Sequence, residues 1–336
     1  MKISTALQER LICPHCRSQL YPGGESFVCK DCGNKYPVIT GIPVLIDGSV
    51  SGFRISSYDR PQPITRAERA LRAALPTISM NLAAHRNCNN FRERLFDLSR
   101  GPRVLVIGGA TAGAGTRELL ADDRVEFVES DIAIDERTTL VCDAHVLPFA
   151  DQTFDGVIFQ GVMFYLQDYP RCIGEIVRVL KPRGIVYSEA AFMEQVVGGE
   201  YDFYRFTMRG HEYQFRQFER IASGISGGPA MATAWSIQYL LLSFTENSIL
   251  RTGIRVLCKC TLFWMKYLDL VLEHKRGAID AAAGTYFLGR RPADSPSAKP
   301  VAPQPPGAQE TVPQQPAREA DPQYQGLIRT DVRAFR

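Results

Sequence analysis

The sequence lacks an apolar segment directly behind its first residues, where serine, threonine, glutamine and charged side chains follow Met1. No secretory signal is visible, so we expect a cytoplasmic protein whose thiols stay reduced. The sequence also lacks a strong charge of either sign, because 39 basic and 36 acidic residues leave a net charge of +3 over 336 residues. This balance argues against a protein built mainly to hold a nucleic acid backbone.

Long uninterrupted apolar runs are missing as well. The chain is 45% hydrophobic and 22% charged, which is typical of globular proteins and excludes collagen-like, fully disordered and polytopic membrane classes. Its length exceeds one average domain. Composition divides it into residues 1–50, a linker and helical region at 51–100, a block at 101–291 and a tail at 292–336. The tail holds nine of the 21 prolines and few large apolar side chains, so it is predicted to be disordered.

Four of the nine cysteines lie close together near the start of the chain. Cys13 and Cys16 form one C-x-x-C turn, and Cys29 and Cys32 form a second one after twelve residues. Two such turns facing each other complete a tetrahedral thiolate site, which predicts a structural zinc ion with no open coordination position. The alternative is a pair of redox-active dithiols. The other five cysteines show no pairing pattern.

The residues after the second turn carry a family resemblance. Tyr36-Pro37 and Gly41-Ile42-Pro43-Val44-Leu45 follow the paired cysteine turns. Residues 7–47 thereby resemble the small zinc-ribbon activator family that partners methyltransferases. Members of that family usually act on a separate catalytic subunit, so the resemblance implies a ribbon fused here to its own catalytic domain.

Strand and helix patterns alternate through residues 101–291. Apolar runs predict strands, helical spacing predicts helices between them, and a late edge strand is predicted at 283–289. The strands are placed at 104–107, 125–128, 139–142, 156–160 and 184–188, and the helices at 115–120 and 169–180. This alternation predicts an α/β fold, a doubly wound Rossmann-like sheet whose ligands bind at the carboxyl ends of the strands.

A glycine-rich turn follows the first of these strands. Gly108-Gly109-Ala110-Thr111-Ala112-Gly113-Ala114-Gly115 does not keep the G-x-G-x-x-G register of a dinucleotide site. Asp131 ends the second strand, where a carboxylate can accept hydrogen bonds from ribose hydroxyls. Asp143 follows the third strand. The alternative for both aspartates is a turn or helix-capping role.

Two longer runs resemble the class I S-adenosylmethionine-dependent methyltransferases. Asp143-Ala144-His145-Val146-Leu147-Pro148-Phe149 matches a D-A-x-x-L-P-F signature, and residues 175–184 match E-x-x-R-V-L-K-P-x-G. The resemblance covers residues 100–192 and implies a bound S-adenosylmethionine. By position it assigns cofactor contacts to Gly108, Gly109, Asp131, Asp143, Ala144 and Gln160.

The match departs from that family at two positions. An acid is usual where Val106 stands, and a third glycine is usual where Ala110 stands. The acid binds near the cofactor's amino group, so its loss raises the alternative of a decayed site that binds no cofactor.

Residues beyond the fifth strand could select the acceptor. The run 200–207 is aromatic and includes Tyr204 and Arg205, which could line a pocket; the alternative is a packed loop with an Asp202 to Arg205 pair. Glu189 and His211 are the nearest candidates for a general base. A lone loop histidine is more often solvated than catalytic.

A helical insertion is predicted at about 229–283. A first helix starts at Pro229, and a second one at 249–275 has a wide apolar face that includes Leu262, Phe263, Met265, Leu268 and Leu272. Such a face can pack on the first helix, lie on a membrane surface or bury in a homodimer. Packing on the first helix is favoured. The membrane surface and the homodimer remain as alternatives, so a membrane-peripheral location is one possibility.

These patterns predict a methyltransferase that uses S-adenosylmethionine and carries a structural zinc ion. The predicted acceptor is a small molecule or a glycan- or lipid-linked intermediate. A non-catalytic adaptor with a degenerate cofactor site is the rival hypothesis. An RNA or protein methyltransferase is a third, and the near-neutral charge argues against RNA.

Overall fold

The computed structural model describes residues 1–48, 51, 75–110, 112–197 and 199–294. Most of the predicted tail, much of the predicted linker and Thr111 of the glycine-rich turn lie outside these ranges. No helix in the described part of the chain is long and apolar enough to cross a membrane.

The described elements run in the following chain order: α1 (Thr5–Gln8), β1 (Leu20–Pro22), β2 (Ser26–Cys29), β3 (Lys35–Ile39), β4 (Ile42–Leu45), α2 (Ala84–Leu98), β5 (Arg103–Ile107), α3 (Arg117–Leu120), β6 (Glu126–Asp131), β7 (Leu140–Cys142), β8 (Phe154–Gln160), α4 (Tyr169–Val179), β9 (Leu180–Ala191), α5 (Met208–Gln214), β10 (Glu219–Gly227), α6 (Pro229–Leu242), α7 (Ser248–Leu262), α8 (Asp269–Leu272) and β11 (Gly284–Arg290). Short 3₁₀ helices lie at Met163–Tyr165, Gly199–Tyr201, Met265–Leu268 and Arg276–Ala281.

The strands join in one mixed sheet of order β1-β2-β3-β4-β7-β6-β5-β8-β9-β11-β10. Strands β7, β6, β5, β8 and β9 are parallel, while β11 runs antiparallel between β9 and β10. The strand order reverses beside β5, and such a switch point is where open α/β sheets bind ligands. The predicted α/β fold with a parallel, doubly wound sheet is confirmed.

The ribbon is hydrogen-bonded to this sheet. Its last strand, β4, runs parallel to β7, with Val44 opposite Val141 and Leu45 opposite Cys142. Leu11 adds a bridge to Phe149. Ribbon side chains also share one hydrophobic cluster with the sheet and α4. Burial of common apolar surface therefore couples the two parts of the chain.

Helix α2 covers the face of the sheet opposite to the one that packs against α4. Phe91 and Leu95 of this helix are fully buried against β5, β8 and β9. Gly156 of β8 makes the close approach possible, since a Cβ there would lie 2.6 Å from Phe91 Cζ and 2.8 Å from Leu95 Cδ2. We infer that the glycine serves packing at this position.

Two details of the predicted elements were wrong. The strand at 284–290 is not an edge strand, because β10, which lacks a clear apolar alternation, pairs outside it. The helix predicted at 249–275 is interrupted after Leu262 by a 3₁₀ turn. Internal packing covers only part of its apolar face, since Leu262 and Phe263 pack on α6 whereas Leu268 is exposed.

Candidate cofactor cavity and metal cluster

The four ribbon cysteines converge on one point. Their sulfur atoms all lie within 4.8 Å of one another, with 3.6 Å between Cys13 and Cys32 and 3.4 Å between Cys16 and Cys29. Zn–S bonds of about 2.3 Å in a tetrahedron place the sulfurs about 3.8 Å apart, so the four thiols fit a zinc ion. A single cluster favours metal binding over two separate dithiols.

A cavity of about 330 Å³ opens at the carboxyl ends of β5, β8 and β9. Gly108, Gln160 and Glu189, each near the end of one of these strands, lie in its wall. This is the position in which a sheet of this order binds its ligand. The structure therefore brings three of the predicted site residues together.

The glycine-rich turn is shaped by its backbone. Gly108 has a φ of +76°, which only glycine adopts at no steric cost, and its N–H and that of Gly109 both donate to Ser130 O at 2.9 Å. A Cβ on Gly109 would lie 2.9 Å from Glu129 Cβ. The turn thus lies against β6 and exposes Gly108 to the cavity.

Gln160 has a side-chain oxygen that is not satisfied by the protein. Its Nε2 donates to Ala114 O at 3.2 Å, while Oε1 is buried with no hydrogen-bond partner. The absent side chain of Gly113 makes room, because a Cβ there would lie 2.3 Å from Oε1. A buried acceptor without a partner costs free energy, so this atom fits a ligand that donates a hydrogen bond.

Glu189 brings a carboxyl group into the wall of the cavity. Asn81 Nδ2 donates to its two oxygens at 3.1 and 2.9 Å, and the Tyr187 hydroxyl donates to Oε1. Burial raises the pKa of Glu189, and these donors offset part of the effect. Val106 lines the same cavity, so Glu189 brings a carboxylate to the space where the usual acid is missing. Nothing in the sequence pattern pointed to Asn81.

Asp131 and Asp143 lie outside the wall of this cavity. Asp131 accepts from Ala110 N and Ala133 N, both at 3.1 Å, and so supports the glycine-rich turn. Buried Asp143 accepts from His145 N at 2.9 Å, His145 Nδ1 at 2.7 Å and Ser51 Oγ at 2.5 Å. Burial acts to raise the pKa of Asp143, but these hydrogen bonds outweigh it and hold the pKa below its usual value. Ala144 is buried beside it.

Three of the four candidate catalytic side chains lie away from the cavity wall. His211 was expected in a polar loop, but it is buried, contacts Ser188 Oγ at 2.9 Å and Thr285 Oγ1 at 3.0 Å, and has its pKa lowered to about 3 by burial. Arg205 pairs with Asp202 and donates to the carbonyls of residues 194 and 195. Tyr204 donates to Gln167 O at 2.9 Å. The packed aromatic loop is therefore the arrangement that forms.

One part of the cavity wall is mostly apolar. Phe164, Tyr165, Met231 and Trp235 line it, the last two from helix α6 of the insertion. Glu194 also lines it, and burial raises the pKa of this carboxyl to about 7. A carboxyl with such a pKa in a cavity is a candidate proton acceptor near neutral pH. No sequence pattern indicated Glu194, because the loop that carries it has no regular periodicity.

Comparison with known proteins agrees with this geometry. Residues 115–188 match the family model of the methyltransferase domain. A ubiquinone/menaquinone biosynthesis C-methyltransferase of Desulfotalea psychrophila is 36% identical over 83 residues, which are 25% of this chain and 30% of that protein. A demethylmenaquinone methyltransferase of Corynebacterium urealyticum is 31% identical over 144 residues, 40% of this chain and 59% of that protein.

A third relative has a different activity in its name. The mitochondrial arginine-hydroxylase NDUFAF5 of Mus musculus is 24% identical over 187 residues, 53% of this chain and 52% of that protein. The chain thus spans between about a third and three fifths of the length of these curated relatives. The family match at residues 115–188, the parallel sheet and the cavity at its carboxyl ends together indicate a methyltransferase domain in this chain.

Proposed function

We propose that the chain is an S-adenosylmethionine-dependent methyltransferase whose acceptor is an apolar small molecule or a lipid-linked one. One observation carries this proposal: the Glu189 carboxyl group and the unsatisfied Gln160 Oε1 belong to residues in the wall of the same cavity. Both groups accept hydrogen bonds, and the methionine part of the cofactor carries an ammonium group that donates them. A bound cation would also relieve the cost of ionising the buried Glu189.

Other residues would hold the rest of the cofactor and the acceptor. The open backbone of the glycine-rich turn, where Gly108 and Gly113 carry no side chain, would approach the methionine part, and Asp131 and Asp143 are proposed for the ribose and adenine. S-adenosylmethionine supplies, when bound, a methyl group on a positively charged sulfur. The chain would align the acceptor against the cavity wall and exclude water, which are the main requirements for such a transfer.

Glu194 is proposed as the group that takes the acceptor's proton. An O–H, N–H or activated C–H acceptor must lose a proton when its new bond to carbon forms, and a carboxylate with a pKa of about 7 can receive it. The aromatic and apolar wall suits a flat, apolar acceptor better than a free sugar. A quinone-like compound, the class named in the relatives from Desulfotalea and Corynebacterium, meets that description.

The cofactor site is tested by calorimetric titration of the zinc-loaded protein with S-adenosylmethionine. We expect saturable binding, and we expect Glu189→Gln to weaken it about 10- to 100-fold because a hydrogen bond to a charged group is lost. Glu93→Gln, which changes an exposed carboxylate of α2, serves as the control and should bind as the unchanged protein does. An absence of binding by the unchanged protein would support the adaptor hypothesis.

The raised pKa of Glu194 can be tested without knowing the acceptor. Its folded-state pKa of about 7 lies above the ordinary value of 4.5, so the folded state holds the proton more tightly than the unfolded state. Stability should then fall as the pH rises from about 4.5 to 7, by on the order of 3 kcal/mol. Glu194→Gln should remove this slope in pH-dependent thermal unfolding, whereas Glu246→Gln, an exposed change, should keep it. Equal slopes in all three proteins would refute the raised pKa.

A further inference from the structure

The helical insertion exposes an unusual number of large apolar side chains. Phe244, between α6 and α7, and Ile249, in the first turn of α7, are each 80% exposed. Leu250 and Leu257 of α7 are both exposed and lie seven positions apart, about two helical turns, so they share one face of the helix. Trp264 follows seven positions later, just after α7 ends, and is exposed as well. We call this surface the apolar ridge; it comprises Leu240, Leu241, Phe244, Ile249, Leu250, Leu257, Trp264, Tyr267, Leu268, Leu270 and Val271.

The ridge residues all lie between positions 240 and 271 and are exposed. Leu257 on α7 and Trp264 just beyond it are more than half exposed, while Cys258 is buried. Scattered apolar residues are normal on a protein surface, but a contiguous patch marks an interaction site. The ridge is therefore a candidate interaction site for an apolar surface.

Charge distinguishes the candidate partners. Residues 240–276, which include the whole ridge, contain six arginines and lysines and three acidic residues. Lys266 and Asp269 are buried: Lys266 donates to Thr77 O, and Asp269 accepts from Ala230 N and Met231 N at the start of α6. Five basic and two acidic side chains remain. The surroundings of the ridge are therefore basic. Two copies of the chain packed ridge to ridge would bring two basic segments together, whereas an anionic surface would attract them.

The aromatic residues of the ridge point to the same partner. Trp264 and Tyr267 each join an apolar ring to a polar N–H or O–H group, which suits the boundary between lipid chains and headgroups. We propose that the insertion docks this ridge on an anionic phospholipid bilayer, lying in the plane of its surface. This docking stands on the exposed ridge and its charge, independently of whether the cavity transfers methyl groups.

The position of the insertion gives the docking a consequence for the cavity. Helix α6 contributes Leu240 and Leu241 to the ridge and Met231 and Trp235 to the cavity wall. A molecule dissolved in the bilayer would thus meet the protein on the helix that also lines the cavity. A lipid-borne acceptor could enter without crossing water.

The test is co-sedimentation of the zinc-loaded full chain with vesicles. Vesicles of phosphatidylcholine with a quarter of phosphatidylglycerol should bind it at least tenfold more tightly than vesicles of phosphatidylcholine alone. Leu257→Glu with Trp264→Glu should reduce that binding at least tenfold, since both side chains are exposed and their replacement leaves the core intact. The control is Ile39→Glu with Leu98→Glu, which changes exposed apolar residues outside the insertion and should bind as the unchanged chain does.

Three results would overturn the proposal. The first is no binding to either vesicle, and the second is equal binding to both, which would remove the role of charge. The third is a stable dimer in analytical ultracentrifugation without lipid that Leu257→Glu with Trp264→Glu dissociates, because the ridge would then belong to a second copy. Circular dichroism of each variant checks that the fold is kept.

Discussion

Replacing Cys29 by serine is expected to abolish zinc binding and to unfold the ribbon. Cys29 is fully buried, and its sulfur lies 3.4 Å from that of Cys16. The free energy of binding zinc in small structural sites is on the order of 10 kcal/mol at neutral pH, and in such small units it is also the free energy of folding. A site with three thiolates and one serine hydroxyl would retain little of this binding free energy.

The effect should reach the central sheet. Strand β4 begins ten residues after Cys32 and pairs in parallel with β7, which lies beside the strand that ends at Asp131. When the ribbon unfolds, β7 becomes a sheet edge with free backbone groups, and the cluster shared by the ribbon and α4 loses its outer layer. We therefore expect faster amide hydrogen exchange at 42–45 and 140–142, and a lower melting temperature of the whole chain.

The matched control is Cys260→Ser, which changes an exposed cysteine outside the cluster. Zinc content measured by elemental analysis should stay at one ion per chain in this variant and fall to near zero in Cys29→Ser. A chelator should reproduce the exchange pattern of Cys29→Ser in the unchanged protein. A Cys29→Ser protein that keeps one zinc ion and the original melting temperature would refute a four-thiolate site.

The elements that the sequence predicted well are those whose signal is local. The strands of the parallel sheet are short apolar runs between turn residues, and the structure places Asp131 at the end of its strand as predicted. In each C-x-x-C turn, the spacing of the two cysteines alone places both thiols on one side of the loop. In each case neighbours in sequence decide the conformation, so a single sequence is sufficient to find it.

The elements that the sequence missed depend on contacts between distant residues. The second helix of the insertion breaks where Lys266 Nζ donates to Thr77 O at 2.7 Å and Asp269 caps α6, and no proline or glycine marks that point. Asn81 meets Glu189 across 108 positions of the chain. Such tertiary contacts override helical spacing and leave no periodic trace in the sequence.

The second family signature, at residues 175–184, also has a structural role that the sequence match did not indicate. In the run 175–184, Glu175 and Arg178 are buried and hold the loop 147–151, while Lys181 pairs with Asp155 at 2.9 Å. A signature shared with a family therefore identifies the fold at these positions.

Replacing Arg178, which lies in helix α4, by alanine is expected to give a large loss of stability. Its guanidinium is 1% exposed and donates to both oxygens of Glu175, at 2.9 and 2.8 Å, and to the carbonyls of Leu147 and Phe149. The change leaves Glu175 buried with Arg17 as its remaining cation. Breaking a buried pair in this way costs about 3 to 5 kcal/mol, which should lower the melting temperature by roughly 10 °C.

The control for this loss is Arg209→Ala, which breaks an ion pair between an exposed arginine and Glu212 and should cost less than about 1 kcal/mol. Arg178→Lys should recover only part of the stability, because a lysine cannot bind both oxygens and two carbonyls at once. A melting temperature of Arg178→Ala equal to that of Arg209→Ala would show that the network is not needed.

Dependence on pH separates the charge of this network from its packing. Burial acts to raise the pKa of Glu175, but the hydrogen bonds and charges of Arg178 and Arg17 outweigh it, so the folded-state pKa lies below the usual value. The stabilisation is then present above the unfolded-state pKa and is lost as the pH falls through the folded-state pKa. Glu175→Gln should flatten the acid side of the stability profile.

Glu175→Gln with Arg178→Met should be less damaging than the sum of the single changes, because it leaves no buried charge without a partner. Strict additivity would mean that packing of the two side chains, and not their charge, holds the loop at 147–151.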